Sequence, residues 1–447
     1  MAGLFQSLRD KLDRSVVVES VEMCDIRFPT SLEAHGSDAM HSDPDYSAAY
    51  VIVTGGEWTG HGFSFTLGRG TQVVVEGIKA LAPLVKGVPL LDIFCNFSTF
   101  WRKLTSESQL RWLGPETGAI HLSVAAVINA LWDLWGKVED KPVWKLLSDM
   151  SPEEIISLVD FRYLSNVITK EEAVSMLQSK IAGRAEQEKQ LQSSGFPAYT
   201  TSAAWLGYSE EQLKTLCNAA LKDGFRSFKI KVGQDLSDDV RRCKIVRDVI
   251  GWNCDLMMDA NQRWEVDEAV HNMQQLAEFK PVWIEEPTSP DDVLGNAQIT
   301  EQLKPLAIGV ASGESANNRV MFKQFLQAGA MDFCQIDATR VGGVNENIAI
   351  ILMAAKHGVP VCPHAGGVGL CEMVQHLAMF NHICVASSNK QIIEYVTHLH
   401  EHMVDPVTVT NGNYQLPSKP GYSSEIKKES RDMYRYPDGT FWKKFNN

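Results

Sequence analysis

Residues 225–233 read FRSFKIKVG, and this stretch decides the fold. A short β-rich run ends on two lysines, Lys229 and Lys231, and the same arrangement recurs down the chain. Asp259 comes in LMMDANQRW (256–264), Glu285 in VWIEEPTSP (282–290) and Glu314 in IGVASGES (308–315). Asp337 follows in QIDATRVGG (335–343) and His364 in VCPHAGG (361–367). Each polar residue stands at or just past the end of an apolar run, and an amphipathic stretch separates one run from the next. A barrel of parallel strands gathers its strand C-termini into one pocket, so residues spread over a hundred positions meet around one substrate.

Working outward, YTTSA (199–203) supplies a strand before FKIKV and HICVAS (382–387) one at the far end, which with the six runs above, VPVCPH the last of them, makes eight. The stretches between most of them read as helices; in SEEQLKTLCNAALKDG, Ser209 is an N-cap and Gly224 a stop. A (β/α) barrel is the economical reading. Before it lie two strand signals, VVVESVEMCDIRFPT (16–30) and YVIVTGG (50–56), around a polar, turn-rich segment. Helical periodicity then dominates from about 73 to 148. Strands followed by helices, ahead of any βα alternation, indicate a separate α+β domain. Residues 165–197 read as a solvent-exposed helical insertion.

A length of 447 residues suits one barrel and a smaller domain, and 44% hydrophobic with 22% charged residues is an ordinary globular composition. The formal net charge of −13, with no basic block, argues against a nucleic-acid partner. Nine scattered cysteines without a C-x-x-C pair read as buried small hydrophobes in a reducing compartment. No apolar run reaches about 18 residues, so no membrane span is expected. The opening MAGLFQSLRDKLDRS is amphipathic, but Asp10 and Asp13 make it a poor presequence. A cytoplasmic location is expected, with the mitochondrion as the alternative.

The chemistry follows from residue type and spacing. Lys229 and Lys231, two apart on a strand, point the same way. Their repulsion and partial desolvation are expected to lower at least one pKa towards neutrality, as a lysine base requires. Asp259, Glu285 and Glu314 are 26 and 29 residues apart, about one βα unit each. Three hard oxygen ligands suit Mg²⁺ rather than zinc. Glu285 and Glu286 point to opposite sides of a strand, and register with Asp259 selects Glu285. The 29-residue step suggests a short insertion near 294–304. His364, 27 residues after Asp337, can be held in one tautomer by that carboxylate and serve as an acid–base group. Asn261, two residues past Asp259, should face the same pocket. The alternating histidines of THLHEH (397–402) read as a partly exposed strand end, and Gly366, Gly367 and Gly369 as tight backbone beside the site.

Together, K-I-K, the Asp/Glu/Glu series and the Asp–His pair resemble the mandelate racemase subgroup of the enolase superfamily. FKIKVG, MMDANQRW, WIEEPTSPDD, QIDATRVGGVNEN and CPHAGGVGLCEMVQHLAMF, with RFPTSLEAHGSDAMHSDPDYSAAY (27–50), are similar to its L-fuconate dehydratases. The fold implied is a modified TIM barrel, (β/α)7β, with an α+β N-terminal capping domain. The cap would span 1–150, completed by about 400–447, and the barrel 151–398. By the same resemblance, cap residues Gly36, Ser37, Asp38 and Tyr46 contact substrate, and the loop from Glu33 to Tyr46 is expected to be a lid ordered by substrate.

The reaction implied is Mg²⁺-dependent dehydration of a six-carbon acid sugar to a 2-keto-3-deoxy acid. In it Lys231 is the base at C2, Lys229 the electrostatic partner, His364 the acid for the 3-hydroxyl, and Glu394 a group that orients substrate. The rival readings are a racemase or epimerase of a 2-hydroxy acid and a non-catalytic binding protein. The expected partner is a small acid sugar, without nucleic acid or membrane; the resemblance also allows a homo-oligomer.

Overall fold

The lysine-bearing strand is the second of eight positions that close a barrel in the computed structural model, which describes residues 4–445 apart from 387 and 389. In chain order the strands are β1 (Ser20–Arg27), β2 (Ser47–Gly55), β3 (Trp58–Thr66), β4 (Phe196–Thr200), β5 (Ser227–Lys231) and β6 (Asp255–Asp259). There follow β7 (Trp283–Glu285), β8 (Gly309–Ser312), β9 (Phe333–Cys334), β10 (Ile393–Tyr395), β11 (Val409–Thr410) and β12 (Asn413–Tyr414). Strands β4 to β9 pair in parallel and in sequence order. Cys334 bridges to Val361 at the seventh position, and β10 pairs in parallel with β4 to close the ring.

The eighth strand is therefore β10 and not HICVAS. Residues 382–384 finish a buried helix, Leu370–Cys384, and residue 387 lies outside the described residues. A short apolar run fits a buried helical turn as well as a strand, and periodicity cannot separate them. Glu394, expected after the last strand, lies within it. Residues 294–303 fall in one regular helix, Val293–Leu303, rather than in a loop excursion. The 29-residue step has another cause. Asp259 and Glu285 end their strands, whereas Glu314 lies two residues beyond Ser312, the end of β8. The exposed insertion forms helices Lys170–Lys180 and Arg184–Ser194 and stops before 197, since β4 begins at Phe196.

Strands β1 to β3 form an antiparallel sheet packed on the helix Gly118–Glu139. That approach is why β3 reads WTGHGFSFT. A Cβ on Gly60 would lie 2.1 Å from the Ala130 carbonyl oxygen, and one on Gly62 would lie 2.2 Å from the Ala130 nitrogen. The helix is the one among the described residues long and apolar enough to cross a membrane, yet 78% of its most apolar window is buried in the protein. The opening segment packs on it too. Phe5 meets Trp135 edge-on at 5.4 Å, and Ser7 and Lys11 both reach Glu139. After β10 the chain first adds β11 and β12 antiparallel to β4, then returns to the first sheet, where Trp442 donates to the Arg27 carbonyl.

His376, on the Leu370–Cys384 helix, is fully buried between the Trp144 N–H and the Ser423 hydroxyl, and burial lowers its pKa to about 3. Its folded pKa is below the unfolded value near 6.5, so the unfolded chain takes the proton first. Stability is complete above pH 6.5 and declines as pH falls towards 3, by about 1.4 kcal/mol per pH unit from this group. Urea midpoints measured from pH 7.5 to 5 should fall, and H376Q should flatten that slope.

Candidate active site

Strand register places the charged groups side by side. In β5, β6 and β7, Lys231 is level with Asp259, and Asp259 with Glu285. Counting barrel positions, Lys231 stands on the second, Asp259, Glu285 and Glu314 on the third to fifth, Asp337 on the sixth, His364 on the seventh and Glu394 on the eighth. One acid–base candidate thus flanks the carboxylate arc on each side. The cavity at these strand ends measures about 500 Å³ and is walled by Lys231, Asn261, Glu314, Asp337, His364 and Glu394 from the barrel, with Gly36, Asp38 and Tyr46 from the cap.

The Lys231 ammonium donates to Asp259 Oδ2 at 2.6 Å and to Asn261 Oδ1 at 2.9 Å. Lys229 lies deeper, fully buried, 2.6 Å from Glu285 Oε1, 2.8 Å from Glu394 Oε1 and 3.3 Å from Asp259 Oδ2. These pairs overturn the expected lowering of a lysine pKa. Burial is the largest single influence and pushes both ammonium groups down, but the surrounding carboxylates together outweigh it, Asp259 foremost at Lys231 and Glu285 with Glu394 at Lys229, so both rise. Sequence spacing shows two cations together; it does not show the carboxylates that neighbouring strands press against them.

Asp259, Glu285 and Glu314 offer carboxylate oxygens within 4.8 Å of one another. Burial and then the neighbouring Asp259 charge push Glu285 well above the usual carboxylate range. Glu314 Oε2 is buried with no hydrogen-bond donor. Three converging carboxylates, Asp259 and Glu285 buried and Glu314 half-buried with one oxygen that accepts no hydrogen bond, fit a hard divalent cation, and the all-oxygen set fits Mg²⁺ better than zinc. Glu286 points away from this trio, accepting from Gln262 and from the backbone and hydroxyl of Ser315.

His364 Nδ1 is 2.7 Å from Asp337 Oδ2, and Asp337 Oδ1 accepts from the Thr339 and Arg340 backbone N–H groups. With one ring nitrogen committed, Nε2 faces Glu314 Oε2 at 3.4 Å and Glu394 Oε2 at 3.7 Å. Burial alone would lower the imidazole, but Glu314, the Asp337 hydrogen bond and Glu394 raise its pKa to about 10. It therefore stands protonated at neutral pH.

The cap segment is better organised than its polarity suggests. Thr30 donates to the Pro44 carbonyl, Ser31 to Asp45, and Asp38 accepts from the backbone of Met40 and His41. Such local side chain–backbone bonds leave no trace in a hydrophobic pattern, so the unstructured lid expected from sequence is here a folded loop. Gly36 has φ +76° and touches the Tyr46 ring, where a Cβ would lie 2.2 Å from the phenol oxygen. G36A should therefore displace Tyr46 and raise KM for substrate while sparing Mg²⁺ affinity, which calorimetry can check. Two expected contacts do not reach the cavity wall. Ser37 donates instead to the Leu206 carbonyl, tying cap to barrel, and Lys229 lies behind the carboxylates. His41, Trp205, Asn317 and Arg340 line the cavity although sequence reasoning did not select them. None lies at a strand end in the repeating pattern, the only signal available there.

A capped parallel barrel with two lysines, a carboxylate trio and an Asp–His pair at its strand ends defines a class of enzymes that abstract protons next to carboxylates. Comparison with known proteins agrees. A family model described as "Enolase C-terminal domain-like" matches residues 212–430. "Mitochondrial enolase superfamily member 1" of Xenopus laevis is 56% identical over 431 residues, covering 96% of this chain and 97% of that protein. "L-galactonate dehydratase" of Hypocrea jecorina is 50% identical over 433 residues, 96% of each. The crystal structure of human mitochondrial enolase superfamily member 1 matches with a TM-score of 0.95 at 56% identity, covering 96% of this chain and 98% of that one. L-talarate/galactarate dehydratase from Salmonella typhimurium, described with bound Mg, shares the fold at 23% identity and a TM-score of 0.72, covering 93% and 92%. The chain belongs to the enolase superfamily.

Proposed function

We propose that this protein is a Mg²⁺-dependent acid-sugar dehydratase that converts L-fuconate to 2-keto-3-deoxy-L-fuconate and water. The observation that carries it is the placing of Lys231 and His364 on either side of the carboxylate arc, both facing one cavity. Asp259, Glu285 and Glu314 would hold the cation. A bound Mg²⁺ supplies a Lewis acid that stabilises charge on the substrate carboxylate as the α-proton leaves.

Lys231 takes the proton from C2. Were Asp259 to hold the cation, less of its charge would bear on Lys231, and burial and the neighbouring Lys229 charge, which act downward on that ammonium, would favour its base form. Lys229 adds fixed positive charge behind Glu285 and Glu394 while an enediolate forms. His364 donates its Nε2 proton to the departing 3-hydroxyl, steadied by Asp337, and the enol tautomerises to the 2-keto acid. Glu394, fixed by the Ala365 N–H at 2.9 Å, and Asn261 orient the chain of hydroxyls. Gly36, Asp38 and Tyr46 close the cavity above, and Ser37 sets their position. Phe65, Leu67 and Leu122 give that cavity an apolar stretch suited to a terminal methyl group. The resemblance of the motif runs to those of L-fuconate dehydratases supports the same sugar.

The test is a panel of acid sugars with Mg²⁺, assayed for 2-keto acid, with L-fuconate expected to give the highest kcat/KM. Preference for L-galactonate would move the substrate and keep the reaction. Epimerised acid without keto product would replace the dehydratase with an epimerase.

A further inference from the structure

Arg340 lies three residues past Asp337 and joins Lys231 and His364 as a positively charged group in the cavity wall. Lys231 is already engaged by Asp259 and Asn261. Arg340 is half-buried and held at its base: its backbone N–H donates to Asp337 Oδ1 at 2.8 Å and its Nε to the Glu314 carbonyl at 3.0 Å. Among the described residues it forms no ion pair, and its two Nη groups have no protein acceptor.

The peptide beneath it is fixed from the cap. Thr339 Oγ1 accepts the Phe65 N–H, Asn129 donates to the Ala338 carbonyl and Trp101 to the Gly342 carbonyl, at 3.2, 3.0 and 2.7 Å. A guanidinium held this way in the cavity wall is a preorganised donor pair, unlike a swinging surface side chain.

On the dehydratase reading, on which this inference rests, C1 to C3 are occupied by the cation site, Lys231 and His364. We propose that Arg340 forms a binding subsite for the substrate hydroxyls beyond C3, its two Nη groups donating to the neighbouring oxygens of C4 and C5. A planar fork matches a pair of adjacent oxygens, and the apolar wall of Phe65 and Leu122 beside it receives the end of the chain.

The Mg²⁺ holoenzyme and its R340M and R340K variants are to be compared on L-fuconate and DL-glycerate, which share the C1–C3 groups but differ in having C4 and C5. Dissociation constants come from calorimetry and C2 proton exchange from NMR in deuterated solvent. R340M should weaken L-fuconate binding roughly 10- to 100-fold, the range of charged hydrogen bonds, leave glycerate binding and exchange unchanged, and be partly rescued by R340K. Equal losses for both acids would show a disturbed reaction centre and overturn the subsite, as would no loss for either. Tighter, Arg340-dependent binding of L-fuconate without any keto product would keep the subsite and remove the dehydratase reading. Full dehydration by R340M with unchanged KM would do the reverse, and wild-type enzyme binding neither acid would remove both.

Discussion

Lys231→Ala should abolish both dehydration and exchange of the C2 proton with deuterated solvent, whereas His364→Asn should abolish dehydration and leave exchange measurable. The asymmetry follows from position. Lys231 reaches the cavity from the second strand and would act on the C–H bond; His364 reaches it from the seventh and would act on the C–O bond. Loss of a positioned acid or base costs about 10²–10⁴-fold in rate. Removing Lys231 also leaves Asp259 and Asn261 without their shared donor, so circular dichroism and Mg²⁺ calorimetry should accompany the kinetics. The reverse pattern, exchange lost with His364 and kept without Lys231, would assign the two faces the other way round.

Chelation should remove all activity, and Mg²⁺ should restore it better than any other divalent ion. Asp259→Asn should weaken Mg²⁺ binding, about 10-fold or more for one charged ligand, with the melting temperature little changed because the group lies at the barrel mouth. Activity that survives exhaustive chelation, or returns only with Zn²⁺, would falsify the carboxylate-trio reading. Glu314→Gln is a second probe of the metal site, and because it also removes the carboxylate that faces His364 Nε2 at 3.4 Å, Mg²⁺ calorimetry rather than the rate reads the ligand role.

The sequence by itself determined the barrel and the arc of charged residues around its mouth. Parallel βα units repeat about every 27 residues, and each repeat announces its strand end with a polar residue, so Lys231, Asp259, Glu285, Glu314, Asp337 and His364 could be chosen before any contact was known. Chain order alone places them on consecutive strands.

Tertiary structure decided the rest. Residues 382–384 became the last turn of a helix because a short apolar run fits a buried helix as well as a strand, and the closing strand is only Ile393–Tyr395, too short to carry a period. The lysines rose in pKa where repulsion alone would lower them, since charge balance depends on carboxylates brought from other strands. The Glu33–Tyr46 loop folded through its own polar bonds, and Arg340 entered the cavity wall from a loop outside the repeat. Spacing along a chain encodes which residues share a face; it does not encode the field that distant residues create once packing sets their distances.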